Sequence, residues 1–255
     1  MRSASPAAFL ALAAVAALLL AVPVSAQSNN VSPGNPCLKN NGNPCNGNNG
    51  NLGRQGNASG ERRTIDRKPP PIAMAMPAVN GRGAFIDQIG NASSASIVQT
   101  APNAYARVIQ NGGPGNEVDV TQRGTGDGYA SVTQSGSTQF ARAEQGGTGS
   151  NALWTNQSGT NNWLWSRQLA DGSQFNGAAL RQIGSNNDML LLQTGSDNRA
   201  VLSQEGDNNG MSVTQNGAGN RLTWNQQGNY LTDLQIVQNG GTVPGGQLLI
   251  TQTNR

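Results

Sequence analysis

Glutamines recur at a regular spacing along the C-terminal two-thirds of the chain. Of the fourteen intervals between fifteen glutamines, eight are eleven residues, four are twelve and two are fourteen. A primary amide offers two N–H donors and a carbonyl acceptor, so regularly spaced glutamines are suited to hydrogen-bonded ladders between stacked strands. The fifteen positions are Gln88, Gln99, Gln110, Gln122, Gln134, Gln145, Gln157, Gln168, Gln182, Gln193, Gln204, Gln215, Gln226, Gln238 and Gln252.

Other residue types repeat together with the glutamines. The residue four positions before each glutamine is always apolar, and the residue two positions before is apolar in thirteen cases, with Thr155 and Ser166 as the exceptions. A glycine follows two positions after the glutamine in twelve of fourteen cases, which indicates turns where φ is positive. Asparagine is frequent six positions before the glutamine, at Asn116, Asn151, Asn162, Asn176, Asn187, Asn198, Asn209 and Asn220.

The repeating unit Asn-x-apolar-x-apolar-x-Gln has a period of two, which is typical of a β-strand with these four side chains on one face. A sandwich core would leave the amides unsatisfied, at a cost of about 1–3 kcal/mol each. Stacking identical amides above one another removes that cost. We therefore predict an all-β fold, a β-solenoid of stacked strand-turn-strand coils with about 22 residues per coil and roughly seven coils.

Two details of this prediction can be checked directly. The register turns Trp224 toward a narrow interior, which predicts a local bulge in that strand. The chain stops at Arg255, three residues beyond Gln252, with no helix or charged cap after the last unit. An uncapped stack exposes unpaired backbone groups at both ends, so we expect copies of the chain to associate head to tail.

The composition argues against an enzyme and against nucleic-acid binding. There is no histidine, which excludes Ser-His-Asp and Cys-His sites and histidine-based metal sites, and we predict no catalytic residue, cofactor or metal. The net charge of +3 is small and its basic residues are scattered. A calcium-binding β-roll is disfavoured because the aspartates hold no constant position in the repeat. A β-helix protein that acts on or binds polysaccharide is an alternative, and Trp154, Trp163 and Trp165 would form its outward stripe.

The region before the repeats has a different character. Residues 1–26 form a predicted signal peptide, with an apolar run from Ala7 to Val22 and a cleavage site after Ala26. Residues 27–81 are a predicted disordered leader and linker rich in asparagine, glycine and proline, and residues 82–255 form the repeat domain. In an exported protein, Cys37 and Cys45 can close a small disulfide loop, and two free thiols are the alternative.

The segment from Gln215 to Gln226, with Asn220 between them, resembles the curlin repeat, in which Gln-x4-Asn-x5-Gln marks a strand-loop-strand unit. The resemblance covers about residues 82–255. It implies an extracellular curli-like amyloid fibre subunit that serves in surface adhesion and biofilm matrix, that is exported through an outer-membrane secretion pore, and that has itself and a second curlin-type subunit as partners. The major subunit and the minor nucleating subunit both fit this resemblance.

The chain departs from the family pattern in its early repeats. Ser93, Ala104, Gly128 and Gln139 occupy places where the later repeats have asparagine. We therefore expect the first coils to be less uniform than the later ones.

Overall fold

The computed structural model describes the backbone of residues 52–56 and all atoms of residues 62–67, 72–241 and 246–254. All of these residues belong to the unit Gly50–Arg255. Every regular element among them is a strand, and they contain no helix long and apolar enough to cross a lipid bilayer. The strands are β1 (Leu52–Gly56), β2 (Arg62–Asp66), β3 (Arg82–Ile89), β4 (Ser94–Gln99), β5 (Ala104–Asn111), β6 (Glu117–Gln122), β7 (Gly128–Ser137), β8 (Phe140–Gly147), β9 (Asn151–Thr160), β10 (Trp163–Ala170), β11 (Asn176–Ser185), β12 (Asp188–Ser196), β13 (Arg199–Glu205), β14 (Gly210–Ala218), β15 (Arg221–Gln227), β16 (Leu234–Asn239) and β17 (Gln247–Thr253).

The strands form two sheets that face each other across one core. The ten-stranded sheet has the order β1-β2-β17-β15-β13-β11-β9-β7-β5-β3, and the seven-stranded sheet has the order β16-β14-β12-β10-β8-β6-β4. From β3 to β17 each strand pairs in parallel with the strand two elements away along the chain, so successive strands alternate between the sheets. This arrangement confirms the predicted β-solenoid.

The register of the sheets follows the spacing of the repeats. Gln182 lies opposite Gln157 on one side and Gln204 on the other, and the apolar positions align in the same way. The core consists mainly of alanine, valine, leucine and methionine side chains, such as Val108, Val132 and Leu153, which are 0–1% exposed, together with Trp224 and Ile250. Small and medium side chains fill this narrow interior. The register is fixed because a shift by one residue would turn every apolar side chain outward.

Stacked glycines allow the turns to approach one another closely. Gly184 and Gly206 have φ values of 115° and 118°, in the region that favours glycine. A Cβ atom at Gly184 would lie 2.0 Å from the carbonyl oxygen of Gly206, and one at Gly206 would lie 2.1 Å from that of Gly228. The repeated glycine is therefore required both by backbone conformation and by the contact with the next coil.

The predicted bulge at Trp224 is wrong. Trp224 continues the register between Leu202 and Ile250 without interruption, and its side chain is fully buried. Its indole Nε1 donates a hydrogen bond to Oε1 of Gln252 at 2.9 Å. The indole fits because its polar atom finds an acceptor in the next coil and its ring stacks between two aliphatic side chains.

One edge of the solenoid differs from the expected open end. Strand β2, which lies within the segment predicted to be a disordered linker, pairs antiparallel with β17, and β1 pairs antiparallel with β2. Ile65 lies opposite Ile250 and packs against the core. The terminal repeat strand of the ten-stranded sheet is therefore covered by a segment from before the repeats. The signal peptide, Cys37 and Cys45 lie outside the described residues.

Candidate functional site: the amide ladders and the ends of the solenoid

The fifteen glutamines form two continuous ladders, one along each sheet. In every one of the thirteen contacts, the side-chain Nε2 donates to Oε1 of the glutamine in the next coil toward the C-terminus, at 2.5–3.0 Å. The ladder of the ten-stranded sheet runs from Gln88 to Gln252, and that of the seven-stranded sheet runs from Gln99 to Gln238. Both ladders have the same direction.

The second N–H group of each amide sets this direction. From Gln99 to Gln238, every glutamine also donates from Nε2 to a backbone carbonyl at the start of a strand in the opposite sheet, at 2.9–3.2 Å. Gln252 donates to the carbonyl of Thr232, two residues before β16, at 3.0 Å. Gln204, for example, donates to the carbonyl of Asp188 at 3.1 Å and to Gln226 at 2.9 Å. A rotated amide would direct its oxygen at a carbonyl oxygen, so the backbone fixes the orientation.

The glutamines are buried along most of the ladders. Those from Gln110 to Gln252 are buried, whereas Gln99 is half-buried and Gln88 is exposed. Burial without partners would cost about 1–3 kcal/mol per amide, and the two-way bonding of each Nε2 removes that cost.

The asparagines bind each turn to the next. In six of the eight, Oδ1 accepts from a backbone N–H in the next coil at 3.0–3.2 Å, and Nδ2 donates to a glycine carbonyl there at 2.7–3.0 Å. Asn187, for example, accepts from the N–H of Asn209 and donates to the carbonyl of Gly206. The two others, Asn151 at the start of β9 and Asn220 before β15, donate from Nδ2 to a backbone carbonyl, but their Oδ1 atoms have no partner within the described residues.

Gln139 makes the donor contact of an asparagine at a place where the sequence departs from the repeat, whereas its buried Oε1 has no partner within the described residues. Its side-chain Nε2 donates to the carbonyl of Gly159 at 2.8 Å, and its backbone N–H donates to Oδ1 of Asn116 at 3.2 Å. The sequence pattern did not predict this contact, because the pattern counts only asparagine at this position. Grouping the two amides, Asn and Gln, as one class would have found it.

Two buried hydroxyl groups interrupt the apolar columns. Thr155 lies between Val132 and Leu180, and Ser166 lies between Ala143 and Leu191. Neither hydroxyl has a hydrogen-bond partner within the described part of the chain. These two positions are the exceptions that the repeat pattern singled out, and each hydroxyl lowers stability because it loses its bonds to water.

We expect Thr155→Val to raise the free energy of unfolding by about 1 kcal/mol, because valine has the same shape without the unsatisfied hydroxyl. Thr133→Val is the matched control, since Thr133 points outward from β7 and keeps contact with water. Urea unfolding of freshly purified monomer measures both variants. A loss of stability in Thr155→Val, with Thr133→Val unchanged, would contradict the assignment.

The two ends of the solenoid present the same pattern of inward side chains. At the N-terminal end β3 offers Ala84, Ile86 and Gln88, and at the C-terminal end β17 offers Leu248, Ile250 and Gln252. Strands β4 and β16 match in the same way. Ile86 is 48% exposed, although Val108, its equivalent in the next coil, is fully buried. The first coil therefore leaves its share of the core open.

The outer faces carry aromatic rows. Phe85, Tyr105, Tyr129 and Trp154 follow one another across the ten-stranded sheet, with ring centroids 5.4, 5.5 and 5.4 Å apart. Phe140, Trp163 and Trp165 form a second group on the seven-stranded sheet. Trp154 was expected to face outward into solvent, but it is only 9% exposed. A stripe of three free tryptophans is therefore not formed.

An ion-pair cluster lies on the outer face of the ten-stranded sheet. The Asp197 carboxylate contacts Arg221 at 2.6 Å and Arg199 at 3.1 Å. Partial burial works against the charged carboxylate, but the hydrogen bonds from Arg221 and Arg199 outweigh it and hold the pKa of Asp197 below its usual value. The cluster joins charges on adjacent coils.

One shallow groove carries two carboxylates. Its lining includes Trp163, Asp188, Gly210 and Asp233, and its volume is about 330 Å³. Burial and the neighbouring Asp233 raise the pKa of Asp188. Sequence analysis did not bring these two aspartates together, because they lie 45 residues apart and meet only through stacking. Within the described residues, no group of three or more histidine, cysteine or acidic side chains is placed to hold a metal ion.

Comparison with known proteins identifies the repeat. The model of the curlin-associated repeat matches residues 176–206 and 184–217, which include strands β11 to β13 and most of β14. No curated protein and no solved structure matches the chain.

Proposed function

We propose that the chain is a secreted structural subunit that assembles into an extracellular amyloid fibre, because residues 176–217 match the curlin-associated repeat and the same repeat spacing continues through the solenoid. In this proposal copies of the chain stack end to end, and each contributes its coils to one continuous solenoid. The two ladders then run through the junction between subunits. No single residue carries the activity, which belongs to the ends of the stack.

The observation that carries this proposal is the match between the two ends. Because the ten-stranded sheet holds one more repeat strand than the seven-stranded sheet, a second copy continues both sheets after a half turn about the stack, with its β4 on β17 and its β3 on β16. Ile97 then covers Ile250 and Ile86 covers Ile236, and the glutamines align in the register seen between internal coils. Burying the exposed half of the Ile86 side chain in this way gains roughly 1 kcal/mol. The junction repeats contacts that the chain already makes with itself.

The common direction of the ladders makes the junction polar. The C-terminal glutamines of the two ladders, Gln238 and Gln252, accept through Oε1 from the preceding coil, whereas within the described residues no glutamine donates to Oε1 of the N-terminal ones, Gln88 and Gln99. Joining two N-terminal ends would place Oε1 against Oε1. End-to-end stacking of one orientation is therefore favoured, and a contact between unlike ends gives an open filament.

The finer parts of the proposal are supported by the resemblance to curlin proteins. They comprise surface adhesion, a role in biofilm matrix, export through an outer-membrane pore and assembly with a second curlin-type subunit. The nucleating subunit of the same fibre is the alternative role. Fibre growth in a strain that lacks this chain but makes the other subunit distinguishes the two roles, because loss of the nucleator leaves bulk material that does not assemble on the cell.

We expect the purified chain from Gln27 onward to polymerise after a lag phase into fibres with a meridional reflection at ~4.7 Å. The stacked strands supply this spacing along the fibre axis. Fibre diffraction together with light scattering over time measures both properties. A chain that remains a soluble monomer at high concentration would overturn the proposed function.

A further inference from the structure

Strand β2 occupies the edge that the next subunit needs. It pairs with β17 through five residues, from Arg62 opposite Thr253 to Asp66 opposite Leu249. The proposed junction places β4 of a second copy on this same edge. We propose that β2 is an intramolecular cap, which must leave β17 before the fibre can grow at that end, and this inference rests on the proposed function.

The inward side chains of the cap imitate one coil only in part. Ile65 lies opposite Ile250 and closes the core as a further repeat would. Arg63 lies opposite Gln252, at the place where the repeat requires glutamine. A guanidinium has donors but no acceptor, so it cannot pass the amide ladder on to a further coil. The cap therefore protects the core and ends the ladder.

The direction of the cap also distinguishes it from a subunit. All pairings from β3 to β17 are parallel, whereas β2 pairs antiparallel with β17. The incoming β4 offers parallel pairing with β17 that is continuous with the sheet, and the adjacent β3 pairs with β16. Because β2 covers only the ten-stranded sheet, the partner gains a second edge that the cap does not contact. The partner's larger contact permits it to displace the cap.

The linker after β2 is long enough to keep the cap in place. Fifteen residues, 67–81, join β2 to β3. They can span about 50 Å when extended. The stack between these two strands is eight strand spacings wide, or about 38 Å at ~4.8 Å each. Midway, the Arg199 guanidinium donates to the carbonyl of Met74, which holds the linker against the ten-stranded sheet.

This tether has a kinetic consequence. An intramolecular strand competes with a free subunit at an effective concentration set by its linker, which reaches the millimolar range for short linkers. At lower subunit concentrations the cap occupies β17 most of the time. The cap then delays nucleation and slows elongation, because one partner in every junction must first lose its cap.

A disulfide between β2 and β17 tests the cap directly. Thr64 and Thr251 lie opposite each other and point outward, and antiparallel partners lie within the Cα distance that a disulfide needs. The variant Thr64→Cys/Thr251→Cys, made with Cys37→Ser and Cys45→Ser, locks the cap when oxidised. We expect the oxidised chain to elongate seeds at least about tenfold more slowly than the same chain after reduction, because no junction can form on a covered edge.

A second pair of variants opens the cap. Ile65→Asp places a carboxylate against the core, so the cap should leave β17 and the lag phase should shorten by on the order of tenfold. Thr64→Asp is the matched control on the outward face of the same strand, and we expect it to change the lag much less. Both chains keep every repeat residue intact.

The outcomes separate this inference from the proposed function. Slow growth when oxidised and recovery on reduction support the cap. Equal growth of the oxidised and reduced chains would overturn the cap and leave the fibre proposal standing. If neither form makes fibres, while the chain without new cysteines also stays monomeric, the proposed function fails and the cap fails with it.

Discussion

Replacing Gln204, Gln215 and Gln226 by lysine is expected to abolish fibre growth. Gln204 and Gln226 are fully buried neighbours in one ladder, and Gln215 is fully buried in the other. Each glutamine amide donates to two oxygen atoms and accepts from one Nε2. A lysine ammonium cannot accept the bond from that Nε2. Lysines at Gln204 and Gln226 also place two like charges in adjacent coils. Removing the partners of a buried polar group and leaving a buried charge costs about 3–5 kcal/mol per site.

The control for this experiment adds the same three positive charges on the outward face of the same strands. Ser203→Lys, Thr214→Lys and Asn225→Lys add three lysines at outward positions that each precede one of these glutamines. We expect the outward variant to polymerise at a rate close to that of the unmodified chain, apart from a salt-dependent repulsion. Light scattering and far-ultraviolet circular dichroism measure both proteins. Normal fibre growth by the inward variant would mean that the assigned inward face is wrong.

Gly206→Ala is expected to give the second largest effect. The new Cβ would lie 2.1 Å from the carbonyl oxygen of Gly228, at a φ of 118° that other residues rarely adopt. The turn would have to move away from its neighbour, which also strains the bond from Asn187 to the Gly206 carbonyl. Backbone strain and overpacking together cost on the order of 2–4 kcal/mol.

Gly241→Ala, the same substitution in the loop after β16, is the matched control. Among the described residues beyond its two chain neighbours, no atom lies within 4 Å of a Cβ built at Gly241, and its φ is not in the left-handed region. Urea unfolding of the two variants should therefore show a large loss of stability for Gly206→Ala and little change for Gly241→Ala. Equal stability of both variants would contradict the close stacking of the turns.

The sequence was sufficient to predict the solenoid because the glutamine and the apolar residues of each repeat define how its strand aligns with the next coil. Glutamines such as Gln182 and Gln204 mark the same point in every coil, so their spacing alone predicts which strands pair. The positive φ of the turn glycines follows from the same periodicity. Each of these features depends on a local pattern that is repeated many times. A single irregular residue such as Gln139 therefore does not change the register of the strands.

The features that the sequence did not predict arise from contacts without a repeat. Strand β2 carries no glutamine, and its pairing with β17 joins segments about 180 residues apart in the opposite direction to all other repeat pairings. Trp224 was expected to be too large, because the pattern shows its direction but not the acceptor that Gln252 supplies. Asp188 and Asp233 likewise meet only because Gly210 between them has no side chain.

The axial repeat of the fibre tests end-to-end stacking most directly. Seven to eight layers per subunit at ~4.8 Å each predict that helical reconstruction of the fibre by electron cryomicroscopy will give an axial rise of about 34–38 Å per chain. The density should also show two parallel columns of amides that continue from one chain into the next. A rise of ~4.8 Å per chain, with every chain lying flat in a single layer, would contradict the account.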